Sequence, residues 1–587
     1  MFLLYSPLPA KGQLSNKRFR TFVTQAMKDW EVPGAAVGII HNGKVILVEG
    51  FGYRDVEKKI PVTPETLFAI GSSSKAFTTF VMGTLVDEGK LEWNQPVKTY
   101  LPDFKMHDPY VTTHMTPRDL VIHNSGLPRH DLTWYGSGRT RKELYNALQY
   151  LEPSKGFRSE FQYQNLMYMT AGYLVGSITG SSWEKIVRQR IFVPLGMNRT
   201  NFCVQASQKS SDFALPYGEE EGKVKRIPFY SDLNNIGPAG SINSNINDML
   251  LWVKLHLQDG KWGDKQIINT TTLRRIHTPQ MVCGGPLVAL FGSFKEFSYL
   301  TYGMGWFIHH YRGHTLIHHG GGIDGFTALV GFMPGTKSGF VVLTNKSGAF
   351  FTYAVVLHVL DRLLGAAPTP WSQRFKTLID QIRGERQKQE QAEDKFQKKD
   401  TKPTHPLNEY AGEYENPGYG PFFITCKDNT LHLEYNKLTS PLKHYHYNTF
   451  EIEKGQGKGL KLQFHIDEKG NIGSVSVPLE SNVDNIIFDR VPQRDMKTAA
   501  FLQKFVGRYD FNGTEANVFL QGEEKLIMEV PGQPQYELVP YKDTTFNLKG
   551  MKGFSVEFVL DNEGKVKELI SHQPNGDFTA KRKGALK

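Results

Sequence analysis

Residues 35 to 55 hold two apolar, β-rich runs on either side of a short polar break. The run "AAVGIIHNGKVILVEGFGYRD" reads as two strands joined at Asn42-Gly43, a dipeptide suited to a tight hairpin turn. After residue 72 the apolar positions take up a helical period. Phe77, Phe80, Val81, Thr84 and Leu85 recur at helical spacing and Gly89 reads as the stop, so a helix with one face in a core is predicted. "SGFVVLTN", near residue 340, is apolar throughout, as a buried strand is. The longest apolar segment, residues 349–367, carries His358, Asp361 and Arg362, which favours a packed helix over a membrane span. Strands and helices mixed in this way predict an α+β or α/β body over residues 1–378.

Beyond it the texture changes twice. Residues 379–403 are dominated by charge, and Pro403 and Pro406 discourage helix, so this stretch reads as a charged, partly helical linker. Short β-rich runs broken by Gly, Asn and Asp follow, and they repeat. "LNEYAGEY" from Leu407 returns as "LQKFVGRY" from Leu502. Leu431 and Leu433 return as Leu526 and Met528, and "FHIDEKGNI" from Phe464 as "FVLDNEGKV" from Phe558. A period near 95 residues is too long for a solenoid. It predicts two small all-β, barrel-like domains, residues 404–495 and 496–587.

Charge narrows the functional classes. Against 69 Lys and Arg stand 59 Asp and Glu, a net +10 in 587 residues, with no basic block interleaved with aromatics. Nucleic acid is not expected as a partner. Cys203, Cys283 and Cys426 are far apart, and His114, His123 and His130 lack ligand spacing, so neither a disulfide framework nor a metal or other cofactor is expected. The N-terminal "MFLLYSPLPAKGQ" is a poor secretory signal as written. The compartment stays open: cytoplasmic as written, periplasmic if the N-terminus is incomplete. No transmembrane segment is expected, and homo-oligomerisation is left open.

Three short motifs carry the chemistry. Ser72 and Lys75 lie three apart at the start of the predicted helix, hence on one face. The spacing alone is weak, because Ser182/Lys185 and Ser440/Lys443 share it. Tyr163-Gln164-Asn165 precedes another apolar helix. His319-Gly320-Gly321, followed by Gly322, Gly325 and Phe326, places bare backbone after a histidine. In this order the motifs resemble the Ser-x-x-Lys, Tyr-x-Asn and Lys/His-x-Gly motifs of the serine β-lactamase and penicillin-binding-protein-like hydrolases. "MTPRDLVIHNSGLP", "VPLGMNRT" and "GPAGSINSNINDMLLW" also resemble that family's text, over about residues 20–365. No Gly-x-Ser-x-Gly occurs, so a nucleophile elbow is unsupported.

The resemblance implies a β-lactamase/transpeptidase-like fold for residues 1–378: an antiparallel sheet flanked by helices, with an all-helical region. It implies Ser72 as nucleophile, with Lys75 and Tyr163 handling protons and Asn165, His319, Gly321 and Gly322 binding substrate. Ser73 and Ser74 are expected to be caps and packing, and a Lys75 cation to lower the Tyr163 phenol. His319 and Gly320 stand where the family's β-lactamases carry a lysine and a hydroxyl that hold a carboxylate. The implied activity is therefore an esterase or D-aminopeptidase-like acyl-enzyme hydrolase acting on a small molecule or peptide. β-Lactamase or D-Ala-D-Ala carboxypeptidase activity is the alternative, and a non-catalytic penicillin-binding-like binder is the alternative of another class.

Overall fold

The computed structural model describes residues 17–584 except 231–232, 456, 469 and 493; the N-terminal stretch weighed above as a signal, residues 1–13, lies outside them. Two compact units divide the chain: Met1–Phe396 with Glu480–Asp484, and Gln397–Leu479 with Asn485–Lys587.

In the first unit a nine-stranded sheet runs through β1 (Gly34–His41), β2 (Lys44–Asp55), β3 (Ile60–Pro61), β4 (Met281–Val282), β5 (Phe297–Tyr302), β6 (Phe307–Tyr311), β7 (His314–Ile323), β8 (Phe326–Met333) and β9 (Ser338–Thr344). Its spatial order is β4-β5-β6-β7-β8-β9-β1-β2-β3. Every neighbouring pair is antiparallel, including β1 with β9, which closes the sheet between the two ends of the unit. All seven residues of β9 are buried, as its unbroken apolar run predicts. The β1–β2 turn falls at Asn42 and Gly43, both at positive φ, as an Asn-Gly hairpin requires.

Helices cover both faces. α1 (Lys17–Asp29), α5 (Phe351–Leu363) and α6 (Trp371–Glu393) share a buried core with the sheet through Phe19, Val23, Val355, Leu357, Trp371 and Phe375. On the other face, α4 (Ile246–Leu257) lies against β1, where Gly38 leaves room for the side chains of Ile246 and Leu250. α6 extends to Glu393, so much of the stretch read as a linker is helical. Among the described residues no helix is long and apolar enough to cross a membrane. Two further helices, α2 (Ser74–Asp87) and α3 (Asn165–Thr179), are buried over their first three turns and first two turns respectively. Ser182 caps its helix by accepting from the Lys185 amide, and Ser440 lies in a strand, which leaves Ser72/Lys75 as the helix-borne pair with a buried lysine.

The second unit holds two closed eight-stranded barrels, from Gly412–Asn416 to Ile486–Val491 and from Gly507–Phe511 to Gly576–Gly584. The repeated motif does the same work in each. Tyr414 donates its hydroxyl to the Tyr410 carbonyl at 2.8 Å, and Tyr509 to that of Phe505 at 2.8 Å. A second shared device was not visible in the motif comparison: Arg490 and Arg582, on the last strands, donate to the Ala411 and Val506 carbonyls at 2.6 and 2.7 Å.

Candidate active site

The chain from Ile70 to Asp87 changes course in three residues. Gly71–Ser73 form one 3-10 turn that runs directly into α2. Ser73 stands at the N-cap of α2 but makes no side-chain cap; its hydroxyl instead donates to the His319 carbonyl at 3.1 Å. The Ser74 hydroxyl accepts from the Ile242 amide at 3.1 Å. The two serines expected as caps therefore tie the start of α2 to β7 and to the 237–242 turn. β7 in turn presses its backbone onto the Ser72 turn. A Cβ on Gly321 would lie 1.8 Å from the Ile70 carbonyl oxygen and 3.0 Å from the Ser72 nitrogen, so only glycine fits there.

Lys75 has no solvent exposure. Its Nζ lies 2.7 Å from Asn165 Oδ1, 2.9 Å from the Ala239 carbonyl oxygen and 3.1 Å from Ser72 Oγ. Burial holds its pKa well below the ordinary lysine value; the Arg129 charge adds to that, and Asp131 opposes it. Nζ donates to both carbonyl oxygens and to Ser72 Oγ, and a deprotonated amine in this place would turn its lone pair to the serine hydroxyl. Asn165, at the first turn of α3, is itself fixed. Its Nδ2 donates to Asp131 Oδ1 at 3.0 Å, and a carboxylate only accepts, so the amide oxygen must face Lys75. Asp131 also accepts from Trp134 Nε1 at 2.9 Å and from Arg129 Nε at 2.6 Å. Neither Asp131 nor Arg129 was singled out from the sequence. Each is brought to the site by a loop around His130, whose left-handed backbone (φ 46°) was the one local sign of an unusual turn.

The Tyr163 ring lies beside the Lys75 amine, 4.8 Å from centroid to Nζ, and under the Arg129 guanidinium at 5.2 Å. Contrary to the expectation of a lowered phenol, burial pushes Tyr163 above the ordinary tyrosine value, outweighing the Ser72 hydroxyl and the Arg129 charge.

His319, not His318, faces this cluster. The His319 Nδ1 lies 2.6 Å from the Gly320 carbonyl oxygen, so it carries the proton, and Nε2 accepts from the Tyr302 hydroxyl at 3.0 Å. Burial pushes the ring down to about 3, and it stays neutral. The alternation of β7 turns His318 to the other face, against His309 and the Tyr353 ring. A cavity of about 1000 Å³ opens over Ser72 and Tyr163, follows His319 to Gly322 along β7, and reaches Phe350 and Tyr353 at the start of α5. The structure thus brings together Ser72, Lys75, Tyr163, Asn165, His319, Gly321 and Gly322. Among the described residues no three His, Cys, Asp or Glu side chains are grouped to hold a metal ion.

The model of the Beta-lactamase family matches residues 19–359, and that of a domain of unknown function, DUF3471, matches residues 397–490. The chain is similar to the unguisins hydrolase ungD' of Aspergillus campestris, 27% identical over 73% of this chain and 82% of that protein. It is also similar to the protein flp of Staphylococcus aureus, 27% identical over 57% of this chain and 64% of that protein. Among solved structures, the octameric penicillin-binding protein homologue from Pyrococcus abyssi superimposes with a TM-score of 0.53 at 23% identity, over 80% of this chain and 99% of that chain.

Proposed function

The chain belongs to the beta-lactamase family, and from that premise we propose that it is a serine hydrolase working through an acyl-enzyme on Ser72. The observation that carries the reading is the Lys75 amine. It is buried, it lies 3.1 Å from Ser72 Oγ, and its other two hydrogen-bonding directions are taken by Asn165 and Ala239. Ser72 attacks the carbonyl carbon of the substrate while its proton passes to Lys75 Nζ. Negative charge collects on the carbonyl oxygen, which faces the backbone N–H groups of Ser72 and Gly322; such donors are worth about 3 kcal/mol each in measured cases. Tyr163, held neutral, passes a proton to the leaving group and is resupplied from Lys75. Water then hydrolyses the acyl-enzyme by the same route reversed.

The substrate is an ester, amide or peptide without a carboxylate next to the scissile bond. His319 is neutral and hydrogen-bonded within the protein, Gly320 has no hydroxyl, and the Arg129 charge is paired with Asp131 at 2.6 Å. A carboxylate beside β7 would lack a charge-assisted partner. Hydrolase relatives such as the unguisins hydrolase support the hydrolytic reading.

The test is labelling with a fluorophosphonate, with the modified peptide read by mass spectrometry, alongside hydrolysis of neutral esters and their carboxylate analogues. The adduct is expected on Ser72. Ser72→Ala should lower hydrolysis on the order of 10⁴-fold or more, and neutral esters should exceed their carboxylate analogues in kcat/KM. An adduct on another residue, or a tenfold preference for the carboxylate, would overturn the assignment of nucleophile or substrate respectively.

A further inference from the structure

The two barrels are copies of one pattern, so the ladders give each position in one a counterpart in the other. Tyr414 pairs with Phe422 and Arg490; Tyr509 pairs with Ala516 and Arg582. Phe422 therefore corresponds to Ala516. Phe488 pairs with Val475 as Ala580 pairs with Leu569, so Phe488 corresponds to Ala580. Tyr435, two residues past Leu433, corresponds to Val530, two past Met528. Tyr419, three before Phe422, corresponds to Gly513.

In the first barrel these four aromatics are at most 2% exposed and pack ring on ring. Centroids of Phe422 and Phe488 lie 5.0 Å apart, those of Phe422 and Tyr435 5.7 Å, and those of Tyr419 and Phe488 6.2 Å. The Tyr435 hydroxyl donates to the Tyr419 carbonyl at 3.2 Å. They plug one end of the barrel. The second barrel has glycine, alanine, valine and alanine in their places, and one of the four, Val530, lines a cavity of about 310 Å³ walled also by Phe511, Tyr536, Leu548, Phe554 and Phe578. None of its lining side chains is charged; Thr514, Gln533, Tyr536, Ser571 and Gln573 supply polar groups.

An uncharged cavity with aromatic walls, beside position 530 where the other copy holds the Tyr435 phenol, is complementary to a ring. A cavity of about 150 Å³ accepts benzene, so this one has room for about two such rings. Empty apolar space lowers stability in proportion to its volume, and an occupant restores the lost contacts. We propose that the second barrel is a binding site for a neutral aromatic molecule of one or two rings, which takes the place that the Tyr435 ring has in the first barrel.

The test is calorimetric titration of the full-length chain with 2-naphthol at neutral pH. Val530→Tyr installs the first barrel's residue in the cavity and should weaken binding at least tenfold. Phe554→Ala removes a wall without filling the space and should weaken it several-fold; it decides the matter if Val530→Tyr does not fold. The proposal is overturned if 2-naphthol does not bind, or if folded forms of these variants bind it as the unaltered chain does.

Discussion

Three oxygens surround the Lys75 amine, and each is held by a different part of the chain: Ser72 by the 3-10 turn, Ala239 by a Gly-Pro turn, Asn165 by α3. The least secure is Asn165, because an amide can rotate to present nitrogen where oxygen is needed. Asp131 removes that choice. Asp131→Asn should therefore lower kcat/KM on a neutral ester about 10- to 100-fold, the scale of a misplaced catalytic group. The pH profile gives a sharper reading. A protonated Lys75 cannot accept the serine proton, so activity is lost as pH falls through the lowered lysine pKa. The Asp131 charge favours the ammonium form, so its removal should move the acid limb of kcat/KM to lower pH. A profile that drops without shifting would leave Asp131 a purely structural role. Sequence spacing exposed Ser72, Lys75, Tyr163 and Asn165 because each stands in a short motif. It did not expose Asp131, whose contact with Asn165 spans 34 residues and depends on a loop whose conformation no pattern of apolar positions encodes.

At the scale of elements, the hairpin followed from its Asn-Gly turn, the helices from apolar spacing and the buried strand from an unbroken apolar run, since each is a local property of the chain. What periodicity does not encode is how closely two elements approach, and here the glycines of β7 decide it. Gly321 meets Ile70 and Ser72 backbone to backbone, so neither side can yield without moving the strand or the turn. Gly321→Ala should cost about 1–3 kcal/mol of stability, the range for overpacking, and about 100-fold in kcat as β7 shifts from the nucleophile. Gly320→Ala is the control: the nearest atom to its new Cβ is the Tyr353 hydroxyl at 3.6 Å, an ordinary contact, so stability and kcat should hardly change. Urea midpoints and single-substrate kinetics on the two variants separate the cases. The barrels were legible for a different reason. A repeat of 95 residues exposes a domain by its recurrence, and the strand count follows from its length, but the loss of the aromatic plug appears only after the ladders align the copies.

At the scale of the whole molecule, the first unit buries histidines and the barrels do not rely on them. His277, His318 and His319 are pushed down to about 3 by burial and His358 to about 4, with His123, His256 and His309 well below the usual value. An unfolded histidine takes up its proton near pH 6.5, and these do so in the folded unit only at much lower pH. Each such histidine therefore lowers stability by roughly 1.4 kcal/mol per pH unit as pH falls from about 6.5 towards its folded value. On acidification the first unit should melt before the barrels. The check is tryptophan emission, since all eight tryptophans precede residue 372, set against the β-sheet circular dichroism of the barrels. Coincident transitions would show that the barrels unfold with it. Closure of those barrels bears on assembly as well as on stability. Two adjacent copies of one strand pattern invite exchange during folding, with a strand of one copy completing the other. Once closed, neither barrel offers an unpaired edge to its twin. The differences between the copies also make hybrids mismatched: a strand bearing Phe422 or Phe488 would crowd one interior, and a strand bearing Ala516 or Ala580 would leave a hole in the other. Divergence at those positions lets each copy recognise its own strands.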